Sequence, residues 1–197
     1  MERKATITRR TKETDIRLTL ALESREASSI LTGVPFFDHM LNSMAKHGRF
    51  HLDAHCSGDI EVDDHHTVED VGICLGKAFE KALGDKAGIS RFGEASIPMD
   101  DALAMAVVDI SGRAFFRYGG RELRGYIGAY NEELTVEFLR ALSSNAGINL
   151  HVVVYHGENG HHVHEAVFKA LGVALRRACA VDESLGGEVP STKGTIA

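Results

Sequence analysis

Hydrophobic and polar positions alternate from the start of the chain. Ala5-Thr6-Ile7-Thr8 and Ile16-Arg17-Leu18-Thr19-Leu20-Ala21-Leu22 read as two strands, with Lys12-Glu13-Thr14-Asp15 turning between them. Pro35 suits the first turn of a helix, and Met40, Leu41, Met44 and Ala45 keep helical spacing up to Gly48. Phe50, Leu52, Ala54 and Cys56 then alternate with His51, Asp53 and His55, which predicts a third strand. From Thr67 onward Val68, Val71, Leu75, Phe79, Ala82 and Leu83 step by three or four, a second helix that Gly84 can cap.

The second half replays this order. Leu103 to Ile110 and Ala114 to Tyr118 predict a hairpin turning at Ser111-Gly112-Arg113. Leu134 to Ser144 has helical spacing, Ile148, Leu150, Val152 and Val154 alternate, and Val167, Leu171, Leu175 and Ala178 mark a helix over 161–180. Each half therefore reads β-β-α-β-α. The correspondence reaches single residues. His65-His66-x-x-Glu69 matches His161-His162-x-x-Glu165 at an offset of 96, which also sets Leu75 on Leu171 and Gly76 on Gly172. Upstream an offset of 98 sets Leu52 on Leu150 and His39 on Glu137, so two residues are gained or lost before the His pair. The pattern predicts an α+β fold made of two copies of one unit, antiparallel sheets backed by helices, at residues 1–90 and 91–184. Residues 185–197 form an irregular C-terminal tail on what is overall one compact domain.

Composition narrows the functional classes. The chain has 197 residues, 44% hydrophobic and 25% charged, a globular composition. Its net charge is −6 and no segment concentrates Lys or Arg, which argues against a nucleic-acid partner. No run approaches the ~18 apolar residues of a membrane span. Met1-Glu2-Arg3-Lys4 leads into polar alternation and not an apolar leader, so a cytoplasmic location is expected. Cys56, Cys74 and Cys179 make no C-x-x-C pair and read as small buried thiols. Histidine stands out: there are 11, with His65-His66 adjacent and His151, His156, His161, His162 and His164 in one stretch.

In H-H-x-x-E at a helix start, the Glu shares a face with each His, at i, i+3 and i, i+4. The two histidines diverge by about 100° around a helix of ~3.6 residues per turn, so one ion cannot comfortably take both. One such motif alone would be an ordinary polar helix start. Two copies, each after a matching strand, point to two metal sites that both draw on the two halves. Imidazole and carboxylate without thiolate suit Mn, Fe, Co, Ni or Zn divalent ions.

Four segments in order, Phe37-Asp38-His39-Met40-Leu41, Asp64-His65-His66-Thr67-Val68-Glu69-Asp70-Val71-Gly72, His161-His162-Val163-His164-Glu165-Ala166-Val167-Phe168-Lys169-Ala170 and Pro190-Ser191-Thr192-Lys193-Gly194, resemble the imidazoleglycerol-phosphate dehydratase family. The resemblance spans about Arg9 to Gly194, and the chain has no room for the phosphatase domain of the bifunctional members. It implies a duplicated ribosomal-protein-S5-domain-2-like fold and a 24-subunit shell with two divalent ions, expected to be Mn2+, in each active site. One ion would be held by His39, His66, Glu69 and His162, the other by His65, His161, Glu165 and Glu137, where some relatives have His. The substrate phosphate would meet Arg91, Arg113, Lys169, Ser191 and Lys193. Glu13 matches the family's acid/base carboxylate, so Glu13, Glu69 and Glu165 are the expected catalytic carboxylates. Asp100-Asp101 is also familiar from the family, without an assigned role.

The implied reaction removes water from D-erythro-imidazole-glycerol phosphate to give imidazole-acetol phosphate, a step of histidine biosynthesis. No carbonyl acidifies the carbon–hydrogen bond that breaks, so the imidazole ring must relay the electrons, with two ions on its nitrogens as Lewis acids and template and a carboxylate moving the proton. A dinuclear metal phosphohydrolase and a non-catalytic metal-storage shell would use similar side chains.

Overall fold

The computed structural model describes residues 3–24 and 26–196; Met1-Glu2, part of the polar N-terminus read above, lie outside them. The elements in chain order are β1 (Lys4–Arg10), β2 (Thr14–Ala21), β3 (Ser29–Leu31), α1 (Pro35–Gly48), β4 (His51–Gly58), α2 (His65–Leu83), β5 (Phe92–Met99), β6 (Ala102–Asp109), β7 (Phe115–Gly120), β8 (Tyr126–Ile127), β9 (Tyr130–Asn131), α3 (Leu134–Ala146), β10 (Asn149–His156) and α4 (Gly160–Cys179). A short 3-10 turn at Glu183–Leu185 precedes the tail.

Two four-stranded sheets have the same order, β1-β2-β4-β3 and β5-β6-β10-β7. Each is antiparallel except for its last edge strand, β3 or β7, which runs parallel to its neighbour. One face of each sheet is buried, as the alternation requires: Ile16, Leu18 and Leu20 of β2, Ala104, Ala106 and Val108 of β6, and Leu150, Val152 and Val154 of β10 all point inward. α2 lies over β1 and β2, and α4 over β5 and β6.

The helices meet across the halves. α1 packs on α4 and α2 on α3, at distances set by two glycines that match at offset 96. A Cβ at Gly172 would lie 2.3 Å from the Met44 carbonyl oxygen, and one at Gly76 would lie 2.7 Å from that of Leu142. Phe37, Phe138 and Phe168 stack and edge together where the helices converge. One apolar cluster runs from Ala5 to Cys179 and includes residues of both halves.

The duplication is regular, with one insertion. β4 and β10 correspond at offset 98 (His51 to Asn149, Gly58 to His156), and α2 and α4 at 96 (His65 to His161, Leu83 to Cys179). The first two strands correspond at 88 (Lys4 to Phe92, Thr14 to Ala102). The β8–β9 hairpin lies in the segment that the second half gains before α3.

The expected β-β-α-β-α order gains a third strand before the first helix of each half, β3 in the first and β5 in the second. Two further expectations change. Leu103 to Ile110 and Ala114 to Tyr118 do form strands, but not a hairpin with each other. β6 pairs with β5 and β10, while β7 pairs only with β10. β10, which buries Leu150, Val152 and Val154, takes the central place, and β7, with Phe115, Arg117 and Gly120 exposed, is left at the edge. The hairpin partner is β5, which the alternation misses because its two fully buried positions, Gly93 and Ala95, are small. A Cβ on Gly93 would lie 2.1 Å from the Ala174 carbonyl oxygen, so α4 leaves no room for a large residue there. Second, the first turn sits one residue earlier than Lys12 to Asp15. Arg10 pairs with Asp15, and Thr11 Oγ1 accepts the amides of Glu13 and Thr14.

Candidate metal centre

The two His pairs open their helices in the same way. Asp63 Oδ1 accepts the His65 amide at 2.8 Å, and Asn159 Oδ1 accepts the His161 amide at 2.9 Å. Asp63 and Asn159 correspond at offset 96. Each helix start is thus anchored by the residue two positions earlier, which leaves the imidazoles to project outward.

On α4, Glu165 Oε1 lies 3.1 Å from His161 Nε2 and 3.2 Å from Nε2 of His39, which α1 brings across from the other half. The second oxygen, Oε2, lies 2.5 Å from Lys169 Nζ. Among the described residues, His39, His161 and Glu165 are the one His/Cys/Asp/Glu group whose ligand atoms all lie within 4.8 Å of one another. Burial opposes charge on Glu165, but Lys169, His161 and His39 together outweigh it and hold its carboxyl down at about 2. The carboxylate is ionised and faces two imidazole nitrogens, an arrangement that fits a divalent cation of borderline hardness.

The matching positions of the other half are looser within one chain. His65 Nε2 lies 3.5 Å from Glu69 Oε2, and Glu137 meets Arg140 at 3.3 Å. His66 and His162 turn elsewhere. His66 Nδ1 meets both oxygens of Asp59 at 3.2 and 3.1 Å, and its Nε2 lies 3.8 Å from Glu13 Oε1. His162 Nδ1 meets Asp101 Oδ1 at 2.6 Å, and its Nε2 lies 3.6 Å from Asp100 Oδ2. The hydrogen bond to Asp59 raises the His66 imidazole above its ordinary value. Asp101 is held well below the usual carboxylate range, first by His162 and then by the amides of Asn159 and Glu158. Within one chain, then, His39 stands with His161 and Glu165, not with His66, Glu69 and His162. The reason is packing: α1 lies against α4, and on α4 His162 turns to Asp101 while His161 faces Glu165. Asp59 is new to the site, and Asp101 gains a partner. Neither stands in the His-rich motifs, and only the strand offset of 88, which sets Asp101 on Glu13, could have pointed to the second.

The expected anion-binding residues divide. Arg91, Arg113, Ser191 and Lys193 line one cavity of about 430 Å3, with Ser111. Lys169 is not among them; it lies against Glu165 and Met99. Arg91 is braced by Asp109 at 2.8 Å and donates to the Pro190 carbonyl at 2.8 Å, which lays the tail over the cavity. The tail is also fastened by the Gly88 amide to Glu188 and by Ile196, 8% exposed. That is more attachment than its glycines imply. Among the described residues no helix is long and apolar enough to cross a membrane.

Residues 32–175 match the family described as imidazoleglycerol-phosphate dehydratase. The chain is 52% identical over 196 residues to the imidazoleglycerol-phosphate dehydratase of Geobacillus thermodenitrificans, covering 100% of both chains. It is 51% identical over 188 residues to that of Leptospira biflexa, covering 95% of each. Its fold matches the crystal structure of imidazoleglycerol-phosphate dehydratase from Staphylococcus aureus with a TM-score of 0.82 and 34% identity, over 90% of this chain and 99% of that one. The enzyme from Pyrococcus furiosus, in complex with (S)-C348, matches with a TM-score of 0.82 and 35% identity, over 96% and 99%.

Proposed function

This chain belongs to the imidazoleglycerol-phosphate dehydratase family, and from that membership we propose how its residues carry out the reaction. It is a hydro-lyase of histidine biosynthesis that removes water from imidazoleglycerol phosphate. The observation that carries the mechanism is Glu165 Oε1, set between imidazole nitrogens from two helices of opposite halves.

We assign His39, His161 and Glu165 to one divalent ion and, by the repeat, Glu137, His65 and Glu69 to a second. Three donors fall short of the four to six that such ions take. His66 and His162, which diverge from these groups, supply the remaining donors to sites shared with a neighbouring subunit. That sharing supports a self-associated shell, proposed as 24 subunits, with Mn2+ as the ion. Bound there, the ions supply Lewis acidity toward the imidazole ring of the substrate.

The rest falls to the chain. Arg91, Arg113, Ser191 and Lys193 take the substrate phosphate in their cavity, with the arginines suited to paired hydrogen bonds. Lys169 keeps Glu165 ionised. Glu13, 53% exposed and 3.8 Å from His66 Nε2, moves the proton: its carboxyl meets the departing hydroxyl, and its carboxylate then takes the hydrogen of the adjacent carbon. The resulting enol ketonises to imidazole-acetol phosphate. Residues 1–90 and 91–184 are read as the two copies of the unit within one enzyme domain, with 185–197 as the tail that closes over the phosphate.

Purified protein given Mn2+ and imidazoleglycerol phosphate should form the ketone with no inorganic phosphate. Phosphate release without ketone would make it a phosphohydrolase, and metal uptake with neither product would make it a storage shell.

A further inference from the structure

The turn joining the first two strands occurs twice, and its two copies carry different carboxylates. At offset 88 Glu13 corresponds to Asp101. Asp101 is fully engaged. Its Oδ1 meets His162 Nδ1 at 2.6 Å, and its Oδ2 accepts the amides of Glu158 and Asn159 at 2.6 and 3.0 Å, the two residues that lead into α4. In the first half that task passes to a different residue. Asp59 meets His66 Nδ1, while its own amide donates to the Glu13 carbonyl at 3.1 Å and its carbonyl accepts from Val62 at 2.8 Å. The same pairing, carboxylate to Nδ1 of the second His, is thus built twice from residues that do not correspond in the repeat.

We propose that Asp101 and Asp59 are positioning residues: each fixes the tautomer of one histidine, His162 or His66, so that Nε2 is presented for metal binding. An ionised carboxylate can only accept a hydrogen bond, so the proton must sit on Nδ1 and the lone pair on Nε2. Engaging Asp101 in this way also separates the duplicated turns. The first keeps its carboxylate, Glu13, for proton movement, and the second uses its own to hold a ligand. A partner on the far ring nitrogen fixes ring orientation and raises ligand basicity, and its loss typically costs 10–100-fold in metal affinity. The assignment rests on the two-ion reading above.

The isosteric change Asp101→Asn separates the tautomer from the loop. The amide oxygen can still accept from Glu158 and Asn159. Its NH2, facing Nδ1, is a donor and drives the proton to Nε2. Co2+ binding is measured by equilibrium dialysis and visible absorption on the parent, Asp101→Asn, Asp59→Ala and Asp101→Ala, with melts of the metal-free proteins alongside. Asp101→Asn and Asp59→Ala, which removes the acceptor facing Nδ1, should bind Co2+ about 10–100-fold more weakly with an altered absorption band. Metal-free Tm should stay within about 2 °C of the parent. Affinities within twofold of the parent would overturn the proposal, as would an Asp101→Asn melt lowered as far as that of Asp101→Ala with Co2+ binding unchanged. No Co2+ binding by the parent would overturn the two-ion reading itself, and this proposal with it.

Discussion

Glu165 has two kinds of partner at once, imidazoles on one oxygen and an ammonium on the other. Lys169 follows one helical turn later, so the ion pair is local, while His39 arrives from a helix 126 residues away in sequence. Glu165→Gln keeps the volume and removes the charge. Metal content should fall, and kcat should drop by roughly 100-fold or more, because Lewis-acid stabilisation is worth several kcal/mol and each ~1.4 kcal/mol is tenfold. Far-UV circular dichroism should stay that of the parent. Metal analysis beside ketone formation decides it, and full activity at unchanged metal content would remove Glu165 from the site. Six of the eight candidate donors were readable because H-H-x-x-E occurs twice; His39 and Glu137 were expected only from the family resemblance. The grouping of the eight was not readable, because the sequence does not say which helix His39 faces.

At the scale of elements, the helix crossings carry the site. Gly172 lets α4 lie against α1, which is what brings Glu165 to His39. In a helix interior Gly→Ala ordinarily stabilises by about 0.5–1 kcal/mol. Here the new Cβ would meet the Met44 carbonyl oxygen at 2.3 Å, backbone that cannot rotate away, so overpacking decides the sign. Gly172→Ala should cost about 1–3 kcal/mol, a fall of roughly 2–12 °C in Tm. A melt at or above that of the parent would show that the helices part without loss. The tail is a different case. Lys193 is exposed and lines the cavity proposed for the substrate phosphate, whereas the tail's attachment runs through Arg91, Gly88 and Ile196. Lys193→Ala should therefore lower kcat/KM by roughly 10- to 150-fold, the loss of one charged hydrogen bond. Its Tm should move by no more than about 2 °C. Steady-state kinetics with the phosphorylated substrate tests the first part and a thermal melt the second. β5 shows why one element escaped notice: its two fully buried residues, Gly93 and Ala95, are small where α4 lies close, and hydrophobic periodicity registers such positions weakly.

For the whole molecule, three donors from one chain leave each proposed ion to be completed by another subunit, so metal and assembly should be linked. Chelation should lower the particle mass seen by light scattering, and Mn2+ should restore it. A mass unchanged by complete metal removal would mean that the ions do not hold subunits together. The amino-acid sequence by itself determined the duplication, the four main helices, most of the strands and the two H-H-x-x-E motifs that offer candidate metal donors. Those follow from local spacing, which turns and apolar alternation record directly. Tertiary structure alone decided three things: that β10 lies between β6 and β7, that α1 crosses to α4, and that Asp59 and Asp101 meet the second His of each pair. Each depends on which surface finds which partner across the core, and a pattern with a period of two or of 3.6 residues marks the face that is buried without saying what buries it.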